Sequence, residues 1–449
     1  MQLRALARHP GVRRIAIGVI VGALALATRW RWDQLTDAQV PHAEWDTQVY
    51  REIADHPLGL DLVVYPKALF VPLVYRAAHN DASAVVRFQT SLAFLAWAVF
   101  TASLVMALRR RWTRALALGL GVAFVLAPPR VGFTASLLPE SIGDSLTALV
   151  AAAAIAVIWS RGRARVAAAV GTGVLGLAWL ATRDTNVAIA VAATGVAMIV
   201  WRGWRHRWAW GVSGLVALAA AGVVWSVGQP HPPLPYQQPW DVRFTPRSAY
   251  PMIDNVVMRV FPDRGEQRDE LPAGLQEFAA PHEQVWRLVQ ATPELRPLQD
   301  WLLDRGAQVY ARWLVRHPLD RVVELIDARW VALVGTRNQH YMPDGWVPRG
   351  SFWRRITMNH ALLIALSFAA PLLLWRPRAD LLAGLALCVL ASGVAGVVAS
   401  YYGDAAEVSR HCYGAGQQVV LGLFLALVAW LDRVPRGWPR RAPAAGATG

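Results

Sequence analysis

The sequence predicts an all-α polytopic membrane protein with about ten transmembrane helices and a small helical domain outside the membrane. Three observations predict this fold class. The 449-residue chain is 55% hydrophobic but only 17% charged, whereas soluble proteins carry about a quarter charged residues. Long uncharged runs approach the roughly 20 residues that a bilayer-spanning helix requires. Short arginine clusters separate these runs and account for much of the formal net charge of +15.

Ten apolar runs are predicted to span the membrane. Several are short, so their limits are approximate. The runs cover residues 15–28, 88–107, 115–127, 141–159, 166–181, 185–201, 209–227, 359–375, 381–400 and 414–431. The first run has an alternative interpretation, because residues 1–27 also fit a cleaved signal peptide. We favour a retained helix, because the segment that follows makes best sense when it is tethered to the membrane.

Arginine clusters alternate across these runs, as the positive-inside rule requires of cytoplasmic segments. With a cytoplasmic N-terminus, the inner segments hold the clusters that begin at Arg4, Arg109, Arg161, Arg202, Arg376 and Arg433. The short outer turns hold only Arg130, Arg183 and Arg410. One miscounted span would destroy this alternation, so the pattern predicts a multi-pass protein with both termini in the cytoplasm.

The basic residues also indicate the type of cell and the partners that we expect for this protein. Lys67 is the only lysine, and abundant arginine and alanine are typical of high-GC bacterial coding. We therefore expect a bacterial plasma membrane, with the lipid bilayer as the main surroundings. A nucleic-acid partner, which the net charge alone would allow, is not expected because the basic clusters are short and divided between apolar runs.

The predicted spans divide the chain into three parts. Residues 1–227 form an N-terminal transmembrane module with a long outer loop at 29–87. Residues 228–358 form an extracytoplasmic helical domain, in which apolar residues at helical spacing predict a helix over Leu298–Trp313. Residues 359–449 form a C-terminal transmembrane module and a cytoplasmic tail.

Carboxylates on the predicted outer side are candidate catalytic residues. Asp46 follows the first span, where it could accept a proton from an attacking hydroxyl. Alternatively, it caps a helix that begins at Thr47. Glu140 and Asp144 lie one helical turn apart at the outer end of the fourth span. A carboxylate within a span is costly and functional by default, but Asp144 could equally pair with an arginine from another helix.

Basic residues on the same side are candidate phosphate ligands. Arg183 either neutralises the adjacent Asp184 or reaches a lipid phosphate through its guanidinium group. In the last outer loop, Arg410 and His411 could stabilise a phosphate leaving group. The sequence contains no HExxH or paired CxxC metal motif, no P-loop and no GxGxxG motif that follows a strand. A cytoplasmic nucleotide site is therefore unsupported, and a divalent metal requirement stays open.

Short motifs follow one another in a fixed order along the outer side. Asp46 and Tyr50 come after the first span, Tyr65-Pro66 follows, and Leu137–Ser141 opens the fourth span. This order resembles the GT-C superfamily of membrane glycosyltransferases, which includes protein O-mannosyltransferases and aminoarabinose transferases. The Glu407–His411 segment is also similar to a motif of uncharacterised actinobacterial proteins of this type.

The resemblance implies a glycosyltransferase that moves a sugar, with inversion, from a polyprenyl-phosphate donor to a hydroxyl of a glycan, lipid or protein acceptor. Asp46 would take the proton from the acceptor hydroxyl, and Glu140 would orient the acceptor or support Asp46. The remaining members of the implied site would bind the donor phosphate or the substrate. These residues are Arg410, His411, Glu407, Arg183, Lys67, Asp144 and Tyr50.

Two other functions stay open from the sequence. An O-antigen ligase or polymerase-like enzyme would transfer a preassembled glycan from a diphosphate lipid, but it would not need the long first outer loop that carries Asp46. A lipid or solute transporter would place essential charges near the bilayer midplane, often in repeated halves. No such repeat is visible in the sequence.

Overall fold

The structure is a computed structural model, and it describes only part of the chain. The described residues are 45–65, 67–125, 128–200, 207–231, 234–235, 248–262, 293–316, 318–327, 381–403 and 408–433, with positions 19, 22, 26, 369, 370 and 405. These residues form helices joined by turns, and they contain no β-strand.

We number the α-helices of the described residues in chain order. They are α1 (Trp45–Asp55), α2 (Phe70–Ala77), α3 (Ala82–Ala107), α4 (Arg111–Val125), α5 (Pro128–Ala135), α6 (Glu140–Trp159), α7 (Gly162–Leu180), α8 (Asn186–Val200), α9 (Arg207–Val227), α10 (Ala249–Asn255), α11 (Arg296–Arg316), α12 (Pro318–Asp327), α13 (Leu381–Gly403), α14 (Val408–His411) and α15 (Tyr413–Arg433).

Four of the described helices, α3, α6, α13 and α15, are long and apolar enough to cross a membrane. Shorter apolar stretches lie within α8 and α9. The prediction of an all-helical protein is confirmed for the described residues, four of whose helices could span a membrane, and the count of about ten spans stays a prediction. Most of the predicted spans 15–28 and 359–375 lies outside the described residues.

The bundle is tightest where α13 packs along α15. A Cβ atom added at Gly422 would lie 2.6 Å from the Cα of Leu390, and one added at Gly393 would lie 2.6 Å from the backbone nitrogen of Val419. Membrane helices use small residues in this way, because close backbone approach supplies the packing contacts that hold them together. This close contact, which we call the α13–α15 seam, fixes α15 relative to α13.

The segment that contains α1 and α2, predicted to lie outside the membrane, folds back onto the start of α6. On α1, Tyr50 and Ile53 are buried because the helix has one apolar face, which packs towards α2. The Thr47 hydroxyl donates to the carbonyl of Leu137 at 3.2 Å, and the Tyr75 hydroxyl donates to the same oxygen at 2.9 Å. These two bonds place the beginning of α1 beside the beginning of α6.

The described part of the predicted outer domain packs on the end of α13. Its helices α10 and α11 share an apolar core. Arg259 donates to the carbonyl of Tyr401 at 2.6 Å, Tyr310 to that of Tyr402 at 2.6 Å, and Asn255 to that of Gly403 at 3.0 Å. The Tyr401–Gly403 sequence therefore anchors these outer helices to the bundle.

Candidate functional site

Asp46 lies between two cations at the end of the bundle where α6 and α15 begin. Its Oδ1 is 2.6 Å from the Nζ of Lys67, and its Oδ2 accepts a hydrogen bond from Arg410 at 2.7 Å. The Arg410 side chain is only 6% exposed and that of Asp46 only 17%, so these charges attract each other with little screening by water. Both oxygens of the Asp46 carboxylate are engaged by basic groups.

This geometry corrects one interpretation of Asp46. The alternative that it caps a helix starting at Thr47 is wrong, because α1 already begins at Trp45 and the Asp46 carboxylate pairs with cations. Burial alone would raise the pKa of the Asp46 carboxyl. Lys67 and Arg410 outweigh burial and hold that pKa well below its usual range.

A second ion pair lies beside the first and shares Arg410. Glu140 opens α6, and its Oε1 is 2.7 Å from Nη2 of Arg183 and 3.7 Å from Nε of Arg410. Arg183 also donates through Nη1 to the carbonyl of His411 at 3.1 Å. Arg183 thereby connects the turn between α7 and α8 to α6 and to α14. Within the described chain, Glu140 Oε2 is buried and accepts no hydrogen bond.

His411 and Tyr50 complete the cluster. Burial, together with the neighbouring Arg410 and Arg183 charges, holds the pKa of His411 well below its usual value, so its ring is neutral at neutral pH. Its Nε2 lies 3.2 Å from Nη2 of Arg410. Burial and the carboxylate of Asp46 raise the pKa of the Tyr50 hydroxyl, so Tyr50 stays protonated. Both side chains can serve as neutral hydrogen-bonding groups.

Asp144, one turn deeper on α6, has a separate partner. Arg130 donates to its Oδ2 at 2.8 Å and its Oδ1 at 3.4 Å, and the indole of Trp97 donates to Oδ2 at 3.3 Å. The Arg130 guanidinium also stacks 4.1 Å from the ring centroid of Trp97. Of the two interpretations left open for Asp144, the ion pair is present in the structure.

A small cavity lies beneath the cluster. Its volume is about 20 Å³, enough for one water molecule. Glu140, Asp144, Arg183 and His411 line it together with two residues that the sequence analysis did not select, Asn186 and Gln418. The cavity therefore adjoins both the Glu140 and the Asp144 ion pair.

No family model, curated protein or solved structure matches the chain. Within the part of the chain that the structure describes, no group of three or more histidine, cysteine or carboxylate side chains could hold a metal ion.

Most of the sequence-predicted site residues come together in the structure. The cluster, which we call the Asp46 cluster, consists of Asp46, Tyr50, Lys67, Glu140, Arg183, Arg410 and His411. Asp144 lines the adjoining cavity, and Glu407 lies outside the described residues. Arg130 was recognised in the sequence only as a topological marker. Asn186 and Gln418 could have been recognised as candidate site residues from the sequence, because polar residues are rare within long apolar runs.

Proposed function

We propose that this protein is a membrane glycosyltransferase that moves a sugar from a polyprenyl-phosphate donor to an acceptor hydroxyl. One observation carries the proposal. Lys67, Arg183 and Arg410, from three distant parts of the sequence, converge on the carboxylates of Asp46 and Glu140 at one end of the apolar bundle. Paired basic groups and carboxylates are what phosphate departure and proton removal require.

The charge of the cluster favours a donor with one negative charge. Three cations and two carboxylates leave one positive charge, because His411 is neutral. A phosphodiester that joins a sugar to a lipid carries one negative charge and would neutralise the cluster. A diphosphate donor would add at least one further buried negative charge, which is costly without another partner. This comparison supports a monophosphate lipid over the diphosphate lipid of a ligase.

The donor phosphate would compete with Asp46 for Lys67 and Arg410. Each of these groups forms charge-assisted hydrogen bonds that a phosphate oxygen can accept in place of a carboxylate oxygen. Once its partners turn towards phosphate, the pKa of Asp46 rises and its carboxylate becomes a better base. Donor binding would therefore activate the residue that removes the acceptor proton.

In the transfer step, the acceptor oxygen forms a bond to the anomeric carbon from the side opposite the phosphate. The bond between that carbon and the phosphate oxygen breaks, and its electron pair leaves with the lipid phosphate. Asp46 takes the hydroxyl proton, while Lys67 and Arg410 stabilise the additional charge on the phosphate. The configuration of the anomeric carbon is inverted.

Glu140 would orient the acceptor. Its Oε1 is held by Arg183, whereas its Oε2 is buried without a hydrogen bond in the described structure. A second acceptor hydroxyl could donate to Oε2, which would satisfy an oxygen that is otherwise costly to bury. The resemblance of the motif order to GT-C enzymes supports the same assignment. The alternating arginine clusters support an outward-facing site with cytoplasmic termini, and the composition rich in arginine and alanine supports a bacterial plasma membrane.

Donor consumption by the purified protein tests the proposal. The full chain in lipid nanodiscs would be incubated with a radiolabelled polyprenyl-monophosphate sugar and a cell-envelope acceptor fraction. We expect label in the acceptor and release of polyprenyl phosphate. Transfer only from a polyprenyl-diphosphate glycan would instead assign a ligase. Uptake of a lipid or solute into vesicles without bond formation would assign a transporter.

A further inference from the structure

A second charged cavity lies at the opposite end of the bundle from the Asp46 cluster. Its volume is about 350 Å³, and it lies where α3, α6 and α15 end and α13 begins. Its lining includes Arg109, Arg110, Trp159, Leu382, Asp432 and Arg433. Helix α15 has 21 residues, so its two ends are about 30 Å apart, close to the thickness of the hydrocarbon core of a bilayer.

The carboxylate of Asp432 is already used within the fold. Its Oδ1 accepts from the backbone nitrogen of Arg110 at 3.0 Å and from the Thr113 hydroxyl at 2.7 Å. Its Oδ2 accepts from the backbone nitrogen of Arg109 at 3.1 Å. Asp432 therefore satisfies donors at the beginning of α4 and joins that helix to the end of α15.

This arrangement leaves basic side chains beside the cavity. Among the described residues, the guanidinium groups of Arg109 and Arg110 form no ion pair, although Asp432 lies next to both in the wall. Arg433 adds a third guanidinium to the lining. A cavity lined by Arg109 and Arg110, and by a carboxylate that accepts hydrogen bonds from other groups, suits an anion with several acceptor oxygens, such as a phosphate ester.

The remaining walls suit a lipid. Leu382 provides an apolar surface, and Trp159, with 45% of its surface exposed, stands at the end of α6. Tryptophan is favoured at the level of the lipid headgroups. Basic pockets between membrane helices bind the headgroups of anionic phospholipids.

We propose that this cavity binds the phosphate headgroup of an anionic phospholipid in the leaflet opposite the Asp46 cluster. Arg109 and Arg110 would contact the phosphate, and the acyl chains would run along the apolar helix surfaces. A free phosphate ester shares the headgroup chemistry but lacks these chains. The inference does not depend on the glycosyltransferase proposal, because it uses none of the residues of the Asp46 cluster.

Lipid binding by the purified full chain tests the site. Native mass spectrometry would count phosphatidylglycerol adducts, with phosphatidylcholine as the zwitterionic comparison and glycerol 3-phosphate as the headgroup without chains. The test variant is Arg109→Gln/Arg110→Gln, which keeps both backbone donors to Asp432. The matched control is Arg161→Gln/Arg163→Gln, which removes the same charge from exposed residues after α6 that do not line the cavity.

We expect the test variant to bind phosphatidylglycerol roughly ten-fold more weakly, because each basic residue near an anionic lipid surface contributes to the binding free energy. The control should bind as the unchanged protein does. Equal binding by the test variant, or an equal loss in the control, would overturn the site. Equal occupancy by glycerol 3-phosphate would overturn the lipid as the ligand. An unchanged unfolding temperature of the test variant would show that its weaker binding does not result from misfolding.

Discussion

Asp46 and Arg410 lie 364 positions apart in the sequence, yet Arg410 donates a 2.7 Å hydrogen bond to the Asp46 carboxylate. The pair joins α1 of the first outer segment to α14, just before the last span. Lys67 holds the other oxygen of the same carboxylate. The local chemistry of the site therefore depends on a contact between the two ends of the described chain.

Replacing Asp46 with Asn should abolish transfer while the protein still folds. The amide has nearly the same shape, but it is a far weaker base, so we expect activity to fall by at least about a hundred-fold. Sugar transfer from a polyprenyl-monophosphate donor measures the effect. Asp61→Asn, an exposed carboxylate in the same outer segment, is the matched control and should keep full activity. Near-normal transfer by the Asp46 variant would remove Asp46 from the mechanism.

Replacing Lys67 with Met should weaken donor binding more than it slows chemistry in the bound complex. Lys67 would contact the phosphate, and loss of one charge-assisted contact typically costs about 1.5–3 kcal/mol. We expect KM for the donor to rise by about ten-fold or more. Lys67→Arg keeps the charge and should recover much of the affinity. An unchanged donor KM in the Met variant would show that Lys67 serves only as the counter-ion of Asp46.

The low pKa of Asp46 predicts a specific dependence of stability on pH. An Asp has an ordinary pKa of 3.8, and here the folded value is lower. The stabilisation from its charge is therefore fully present above the unfolded pKa and is lost as the pH falls towards the folded pKa. The difference in unfolding temperature between the unchanged protein and Asp46→Asn should be constant from about pH 8 to about pH 5. It should shrink only in stronger acid, and shrinkage already near neutral pH would contradict the low pKa.

Asp144→Asn should mainly lower stability, because it leaves the buried Arg130 without its counter-ion. Removing one partner of a buried pair costs about 3–5 kcal/mol. The double variant Asp144→Leu/Arg130→Met removes both charges and should recover most of the loss in thermal unfolding. If the double variant folds but transfers no sugar, the Asp144–Arg130 pair has a role in the reaction beyond stability.

Gly422→Ala should destabilise the bundle, because its new methyl group would press against the backbone of Leu390. Such overpacking typically costs about 1–3 kcal/mol. Gly173→Ala on α7 is the matched control, since a Cβ atom there meets nothing within 4 Å. Thermal unfolding should show a loss for the first variant and no loss for the second. Equal behaviour of the two would mean that the α13–α15 seam can open.

The sequence predicted the helices well because long uncharged runs have few alternatives to membrane helices. The helices α6, α8 and α15 begin and end within about two residues of their predicted limits. The long helix α3 begins at Ala82, earlier than the predicted span. Its first turns contain polar residues, which are not counted as part of an apolar run. The amphipathic helices α1 and α2 do not stand out in the sequence as apolar runs, because only one side of each helix is buried.

Which acid pairs with which base was harder to predict than the side of the membrane on which these residues lie. Arginine alternation assigned Asp46, Glu140, Arg183 and Arg410 to one side of the membrane, and the structure has them in contact. It carried no information about which acid meets which base. That choice depends on how the helices pack, which separates Asp144, paired with Arg130, from the other carboxylates.

The close fit between α13 and α15 has a mechanical consequence for the site. Arg410 and His411 stand immediately before α15, whose backbone lies so close to that of α13 that no side chain fits at Gly393 or Gly422. Asp46 and Lys67 belong instead to the first outer segment, which hydrogen bonds such as those from Thr47 and Tyr75 hold against α6. The last helices therefore form the rigid side of the site, and in the proposed reaction the lipid donor would enter by movement of the segment that contains α1 and α2.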